Sequence, residues 1–309
     1  MPLRTIKKDT AEALKLEWIL HVKNYALTLD KNRCVGCQIC SLACPKEAIT
    51  FEKQAKTKRE KAKKARIDID LAKCNFCGIC DVLCPFGAVR VTLDGKHALS
   101  VLEKESFPQL TRDIQVNESK CPAECVECEE TCPLDLIKVS WVTHDGKTLE
   151  SLDSLTEQEK VNAKVKIDIQ KDFCPCCRVC EAKCPEGIIH VRKFLNGKIL
   201  VHPEKCPEDC RDCIDVCPIT GALYLSQDKK VHVDENFCVY CGACKLVCPV
   251  NDALEIKRTA ISHAPVRSGA WNKALERLAS TVDLSKELHG KGRKIAVEAV
   301  KRLLEPERK

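Results

Sequence analysis

Short runs in which hydrophobic and polar residues alternate, or in which strand-forming residues cluster, recur through the middle of the chain. A period of two is typical of a half-buried strand. The runs lie at 48–51 and 66–70, at 136–139 and 165–169, and at 222–225 and 230–234, with outer runs at 25–29 and 253–256. Their arrangement in pairs predicts an α+β fold built from small hairpins.

The two ends of the chain carry helical spacing instead. Asp9 or Thr10 can cap a helix from Ala11 to Val22. Apolar stripes at helical spacing are formed by Leu14, Trp18 and Val22 near the start, by Trp271, Leu275, Leu278 and Ala279, and by Ile295, Ala299, Val300, Leu303 and Leu304 near the end. We expect helical extensions at both termini. Their apolar faces must be covered by the chain itself or by a partner subunit, and we favour a partner.

Cysteine dominates the chemistry, because the 309 residues include 25 cysteines and only 4% aromatic residues. Twenty-four of the cysteines form six motifs, and a proline directly follows each motif. Four motifs read C-x2-C-x2-C-x3-C-P, whereas the third and fifth have one more residue in the first gap. Cys176 is left over. It could be an alternative ligand, and we expect a spare buried thiol.

This spacing is that of the bacterial run that binds a [4Fe–4S] cluster. Three cysteines on a tight loop can surround one cluster, and the fourth, before the proline, serves the neighbouring cluster. The chain shows neither an apolar signal region nor an apolar run of about 18 residues. We therefore expect a cytoplasmic chain without a membrane span, whose thiols are reduced and unavailable for disulfides. Zinc is disfavoured, because zinc ribbons separate two C-x2-C pairs by a longer spacer.

Each predicted hairpin lies between consecutive motifs, which favours pairing first with second, third with fourth and fifth with sixth. Pairing the fourth motif with the fifth is the alternative, because the gap between them is short enough for a hairpin. With sequential pairing the six crossed ligand sets are Cys34, Cys37, Cys40 and Cys84 (cluster one); Cys74, Cys77, Cys80 and Cys44 (cluster two); Cys121, Cys125, Cys128 and Cys184 (cluster three); Cys174, Cys177, Cys180 and Cys132 (cluster four); Cys206, Cys210, Cys213 and Cys248 (cluster five); and Cys238, Cys241, Cys244 and Cys217 (cluster six).

The same pairing predicts the domain organisation. Three tandem ferredoxin-like modules, each with two [4Fe–4S] clusters, are expected between helical extensions. The expected boundaries are 1–24 for the N-terminal helical extension, 25–100 for module 1, 101–195 for module 2, 196–258 for module 3 and 259–309 for the C-terminal helical tail.

The motifs indicate electron transfer rather than catalysis. Every motif is complete and leaves no open iron position, and the chain contains no glycine-rich nucleotide loop and no Cys/His or Ser/His signature. The formal charge of +6 is misleading, since six oxidised clusters with their thiolates would bring it to about −6. The basic stretch 52–66 carries no interleaved aromatic residues, so we interpret it as a solvated loop and expect no nucleic-acid partner.

The motif repeat over residues 34–250 resembles the archaeal polyferredoxins, and most of all the polyferredoxin subunit of formylmethanofuran dehydrogenase. The segment 268–276 adds weakly to this resemblance. Members of that group commonly carry eight motifs, whereas this chain has six. The resemblance implies a non-catalytic subunit that carries low-potential electrons to or from a tungsten or molybdenum site in methanogenesis. The alternatives are a polyferredoxin of a hydrogenase or heterodisulfide reductase complex, and an iron–sulfur store or scaffold.

Overall fold

The architecture is that of a computed structural model, which describes residues 3–54, 60–143, 146–151 and 163–280. Its strands are β1 (Arg4–Asp9), β2 (Ala13–Ile19), β3 (Asn24–Asp30), β4 (Ile49–Glu52), β5 (Arg66–Ile69), β6 (Val89–Leu93), β7 (Asp113–Val116), β8 (Ile137–Val142), β9 (Thr148–Leu149), β10 (Lys164–Ile169), β11 (Ile189–Arg192), β12 (Leu195–Val201), β13 (Leu223–Leu225), β14 (Val231–Val233) and β15 (Leu254–Ile261). Its α-helices are α1 (Ile39–Ala43), α2 (Ile79–Val82), α3 (Ser100–Glu103), α4 (Glu127–Glu130), α5 (Val179–Lys183), α6 (Asp212–Asp215), α7 (Ala243–Val247) and α8 (Gly269–Leu278). Short 3-10 turns at Glu118–Lys120, Lys171–Phe173 and Pro203–Lys205 precede the third, fourth and fifth motifs.

The strand pairing confirms the three predicted hairpins. The antiparallel pairs β4–β5, β8–β10 and β13–β14 each connect two consecutive motifs. The outer strands close each unit in the pairs β3–β6, β7–β11 and β12–β15. Because β11 and β12 pair with different strands, the segment between motifs four and five is not an internal hairpin. The structure therefore has three ferredoxin-like units with sequentially paired motifs.

The predicted N-terminal helix from Ala11 to Val22 is wrong. The segment forms the hairpin β1–β2, and β2 pairs with β3, so the outer sheet of module 1 gains two strands. Leu14 and Trp18 are four residues apart, which suits one face of a helix and equally one face of a strand. Leu16 decides between them, because it is buried with Leu14 whereas Lys15 is exposed. Leu14 and Leu16 are buried in the module's own core, so this face of β2 needs no partner to cover it, whereas β1 is mostly exposed and Val22 is 86% exposed.

The first predicted C-terminal helix is confirmed as α8. Its residues Trp271, Ala274 and Leu278 are buried against the rest of the chain, so this face also needs no partner to cover it. Trp271 contacts Phe107 edge-on, with ring centroids 5.2 Å apart. Arg277 Nη1 donates to the Leu42 carbonyl at 3.3 Å, which fastens α8 to the helix of the first motif. The second stripe, at 295–304, lies outside the described residues.

Hydrophobic packing joins the modules into one body. Module 1 and module 3 each have a separate core, around Leu16 and Leu254 respectively. The core of module 2 also takes in the outer faces of α1 and α2 and the Trp271 ring. No helix within the described ranges is both long and apolar enough to cross a membrane.

Candidate iron–sulfur sites and their junction

The cysteine loops have two backbone forms, which follow the length of the first gap in the motif. In the four motifs with the shorter gap, the residue before the helix has a left-handed conformation: Gln38, Gly78, Arg178 and Gly242 have φ between 68° and 95°. The third and fifth motifs have an extra residue in the loop, and there the same position has φ of −122° and −131°. The loop with the extra residue therefore reaches its helix without the left-handed turn.

Three of the six predicted ligand sets line partly enclosed cavities. The first cavity is lined by Cys44, Cys74, Cys77 and Cys80, the second by Cys132, Cys174, Cys177 and Cys180, and the third by Cys206, Cys210, Cys213 and Cys248. No three His, Cys, Asp or Glu side chains in the described ranges group tightly enough to hold a single metal ion. Four thiols around an open cavity fit a [4Fe–4S] cluster better than one zinc ion.

In the other three sets, the effect of one cysteine's charge on the pKa of another shows which thiols lie close together. Burial raises the pKa of Cys34 to about 11, and the charge of Cys84, which follows it by 50 residues, adds to the shift. Burial and the charges of Cys125, Cys128 and Cys184 raise the pKa of Cys121 to about 11. Burial raises the pKa of Cys244 well above its usual range, and the charges of Cys241, Cys238 and Cys217 reinforce this. At each of these three places a cysteine of the partner motif therefore lies close to the other thiols, as the crossed sets predict.

In three motifs a backbone amide donates a hydrogen bond to the sulfur of the last cysteine. The N–H groups of Ala48, Ala88 and Leu136 donate to the sulfur atoms of Cys44, Cys84 and Cys132 at 3.4, 3.2 and 3.3 Å. The proline turn after each motif places these amides. Hydrogen bonds to sulfur are one of the means by which a protein sets a cluster's potential.

Cys176 is a fully buried thiol in the core of module 2. It has φ of 57° and occupies the loop position that Tyr240 occupies in the sixth motif. In both loops this residue's N–H donates to the sulfur of the cysteine two positions earlier, at 3.4 Å. Its backbone therefore belongs to the loop, while its thiol lies 3.9 Å from the Cys174 carbonyl oxygen.

The three modules meet at a junction instead of lying in a row. A fourth hydrophobic cluster combines Val35, Phe86, Val179, Ile219 and Val239, which come from all three modules. Thiols of Cys37, Cys177, Cys217 and Cys241 belong to the same cluster. These four thiols belong to the predicted ligand sets of clusters one, four and six. Each module contributes one of these three sets, here called the inner sites. The predicted ligand sets of clusters two, three and five, here called the outer sites, contribute no thiol to this hydrophobic cluster.

Close contacts bring the first and sixth motifs together. A Cβ atom built on Gly242 would lie 3.7 Å from the Cys37 carbonyl oxygen and 3.1 Å from Nη2 of Arg258. Charge on Cys241 is the largest influence, after burial, that raises the pKa of Cys37. Similarly, Cys177 is among the groups that raise the pKa of Cys217, after burial and the charges of its own set.

Sequence reasoning missed three cationic side chains that lie at this junction, Arg112, Lys193 and Arg258. They stand alone beside or within short strands, with no local pattern to mark them. Only contacts between modules reveal them, so no motif in the sequence could have identified their position.

Comparisons with known proteins agree with this geometry. Models of the 4Fe-4S dicluster domain match residues 33–88 and 198–249. The polyferredoxin-like subunit of an aliphatic sulfonate oxidoreductase from Pyrococcus furiosus is 38% identical over 104 residues, which are 29% of this chain and 58% of that protein. The polyferredoxin protein MvhB of Methanothermobacter marburgensis is 29% identical over 134 residues, 41% of this chain and 26% of MvhB. The chain thus spans about half or less of the length of most curated relatives that it matches.

One solved structure matches almost throughout. A chain of the formate dehydrogenase–heterodisulfide reductase–formylmethanofuran dehydrogenase complex from Methanospirillum hungatei superimposes with a TM-score of 0.75 at 29% identity, over 91% of this chain and 92% of that one. This chain is similar to archaeal polyferredoxins. Its dicluster domains lie in modules 1 and 3, and the fold repeats in module 2.

Proposed function

We propose that this polyferredoxin holds six [4Fe–4S] clusters and is the non-catalytic subunit that carries low-potential electrons to or from a formylmethanofuran dehydrogenase. The observation that supports this partner enzyme is the near full-length match to a chain of the Methanospirillum hungatei complex, whose name includes that enzyme. The name of the same complex also includes heterodisulfide reductase, which favours, as the second candidate, a polyferredoxin of a hydrogenase or heterodisulfide reductase complex.

The proposed ligands are the 24 cysteines of the six crossed sets. A [4Fe–4S] cluster with four cysteine ligands transfers one electron and exposes no iron to substrate. The chain's own contribution is to supply the thiols, exclude water from them and place them in sequence. Within a module the crossed fourth ligand keeps the two sites adjacent. Between modules, the packing of Cys37, Cys177 and Cys241 in one hydrophobic cluster keeps the three inner sites adjacent.

Iron and acid-labile sulfide per chain test the six sites, measured on anaerobically purified protein. The expected value is about 24 irons, with spin-coupled [4Fe–4S] signals by electron paramagnetic resonance (EPR) after reduction. Cys84→Ser should remove about four irons, and Cys176→Ser, the matched control, should remove none. Zinc in place of iron, or the same loss in both variants, would contradict the ligand sets.

Electron delivery tests the partner. The reduced polyferredoxin is mixed anaerobically with the catalytic subunits of formylmethanofuran dehydrogenase, and in parallel with those of heterodisulfide reductase. Reoxidation of the clusters by the first, dependent on carbon dioxide and methanofuran, is the expected result. Reoxidation only by the second would favour the second candidate. Clusters that neither enzyme reoxidises would indicate an iron–sulfur store.

A further inference from the structure

Three cationic side chains lie at the three contacts between the inner cluster sites. Arg112 bridges modules 1 and 2: its Nη2 donates to the Cys84 carbonyl at 2.9 Å and its Nη1 to the Cys174 carbonyl at 2.6 Å. Arg112 therefore lies between the sites of clusters one and four.

Arg258 lies between the sites of clusters one and six. Its Nε donates to the Tyr240 carbonyl at 2.8 Å and its Nη2 to the Cys241 carbonyl at 2.6 Å. The residue is 9% exposed, and the largest charge acting on it is that of Cys37, followed by that of Cys241. It is thus a buried guanidinium with thiols of two modules around it.

Lys193 completes the arrangement between the sites of clusters six and four. Its Nζ donates to the Cys238 carbonyl at 2.7 Å and lies 5.1 Å from the centre of the Tyr240 ring. Charges of Cys238 and, more weakly, Cys177 act on it. Each pair of inner sites therefore has one cation between its members.

These cations have no carboxylate counter-charge at contact distance. None of the three takes part in an ion pair among the residues that the structure describes, and the hydrogen bonds of their charged groups go to backbone carbonyls. Asp172 and Glu235 act on Arg112 and Lys193 at longer range, and the cation Arg178 opposes the effect at Lys193. A buried cation without a paired anion is costly, as at Arg258, and Arg112 and Lys193 are half-buried. Negative clusters at these sites would supply the missing counter-charge.

The outer sites have a different charge environment. At cluster two the anion Asp81 acts on Cys80, together with burial and the other thiols. At cluster five a cation is present but belongs to module 3 itself: Lys230 Nζ donates to the Cys206 carbonyl at 3.5 Å and its charge acts on the Cys206 thiol, whereas Glu204 opposes this charge. Burial of the inner sites would by itself disfavour the more negative, reduced state of a cluster, whereas an adjacent cation favours that state. The three cations therefore offset the effect of burial and favour the reduced state of the inner clusters.

We propose that Arg112, Lys193 and Arg258 make clusters one, four and six the most easily reduced in the chain, so that the junction holds the electrons that enter from any of the three outer clusters. In each step one outer cluster is oxidised by one electron and one inner cluster is reduced by it. This inference rests on the six proposed clusters and adds an order of potentials to them.

Potentiometric titration followed by EPR tests the order on the intact chain. In Arg258→Gln and Lys193→Gln, the clusters that are reduced first should show at least a tenfold lower ratio of reduced to oxidised form at a fixed solution potential, about 59 mV for one electron. Arg258→Lys keeps the charge and should restore most of the ratio. Lys15→Gln, an exposed change on β2, should leave the titration unchanged.

A matched pair of ligand variants assigns the signals. Cys84→Ser removes a ligand of inner cluster one and should abolish one of the first couples to be reduced, whereas Cys44→Ser does the same for outer cluster two and should abolish a late one. An unchanged first couple in both Gln variants, at wild-type iron content, would overturn the inference. If Arg258→Gln loses iron, the less buried Lys193 decides the result. An iron content far from 24 in the wild-type chain would instead refute the six clusters.

Discussion

Removal of the Trp271 side chain is expected to release α8 from the rest of the chain. Trp271 is 2% exposed, contacts Phe107 edge-on and donates from Nε1 to the His263 ring at 3.2 Å. A tryptophan buries about 150–250 Å², which at about 25 cal/mol per Å² corresponds to roughly 4–6 kcal/mol. Measured losses for such truncations are about 3–5 kcal/mol, so we expect Trp271→Ala to cost about 4 kcal/mol.

This loss should be local, because α8 connects elements that have cores of their own. Beyond Trp271, α8 is held by the contact of Arg277 with Leu42 and by the Arg258 guanidinium at the Leu278 carbonyl. Hydrogen exchange on the holoprotein measures the effect: amides of α8 should lose protection by about a thousandfold for 4 kcal/mol. Amides of β1 and β2, remote from α8, are the internal reference.

Trp271→Phe is the matched control. It keeps an aromatic ring against Phe107 and removes the hydrogen bond to His263, which is worth about 1 kcal/mol. Loss of this hydrogen bond should lower the protection of the α8 amides about tenfold or less, in addition to the effect of the smaller ring on packing. Equal protection in wild type and Trp271→Ala would refute the reasoning, since it would mean that α8 is held without its buried aromatic anchor.

Further predictions concern pH, backbone strain and metal. The hydrogen bond from Lys138 and that from the Val139 amide lower the pKa of Glu129, so its stabilising effect is present above the unfolded pKa and is lost as the pH falls through the lower, folded value; thermal unfolding from pH 7 to 3 should show this loss in wild type and not in Glu129→Gln. Gly36→Ala should cost about 1–3 kcal/mol and reduce iron content, because φ is +71° and the new Cβ would lie 3.0 Å from the Ala65 backbone, whereas Gly95→Ala, at φ +78° with open space, measures the strain alone. Anaerobic iron chelation should abolish the circular dichroism signal of the hairpins together with the cluster absorbance, and persistence of that signal would show that the fold does not depend on metal.

Much of each module could be predicted from the sequence, because its determinants are local. The spacing of the cysteines, the alternation in the hairpins and the proline after each motif all act over a few residues. The N-terminal segment was misjudged because Leu14 and Trp18 fit both periods, whereas Leu16 between them fits only the strand that pairs with β3. The junction could not be predicted, since Arg258 and Gly242 matter through residues of another module that no pattern in their own segment specifies.

The hairpin that ties each pair of motifs has a consequence for assembly. In the proposed ligand sets the first and last cysteines of one site lie on opposite sides of a β-hairpin, in module 1 at Cys34 and Cys84, and the second site uses the same hairpin in the opposite sense. A chain that has closed one site has already positioned the ligands of its neighbour. Under limiting iron, loading should therefore be cooperative in pairs, and the population should contain chains with zero, two, four or six clusters in preference to odd numbers. The unit of biogenesis would then be the module rather than the single cluster.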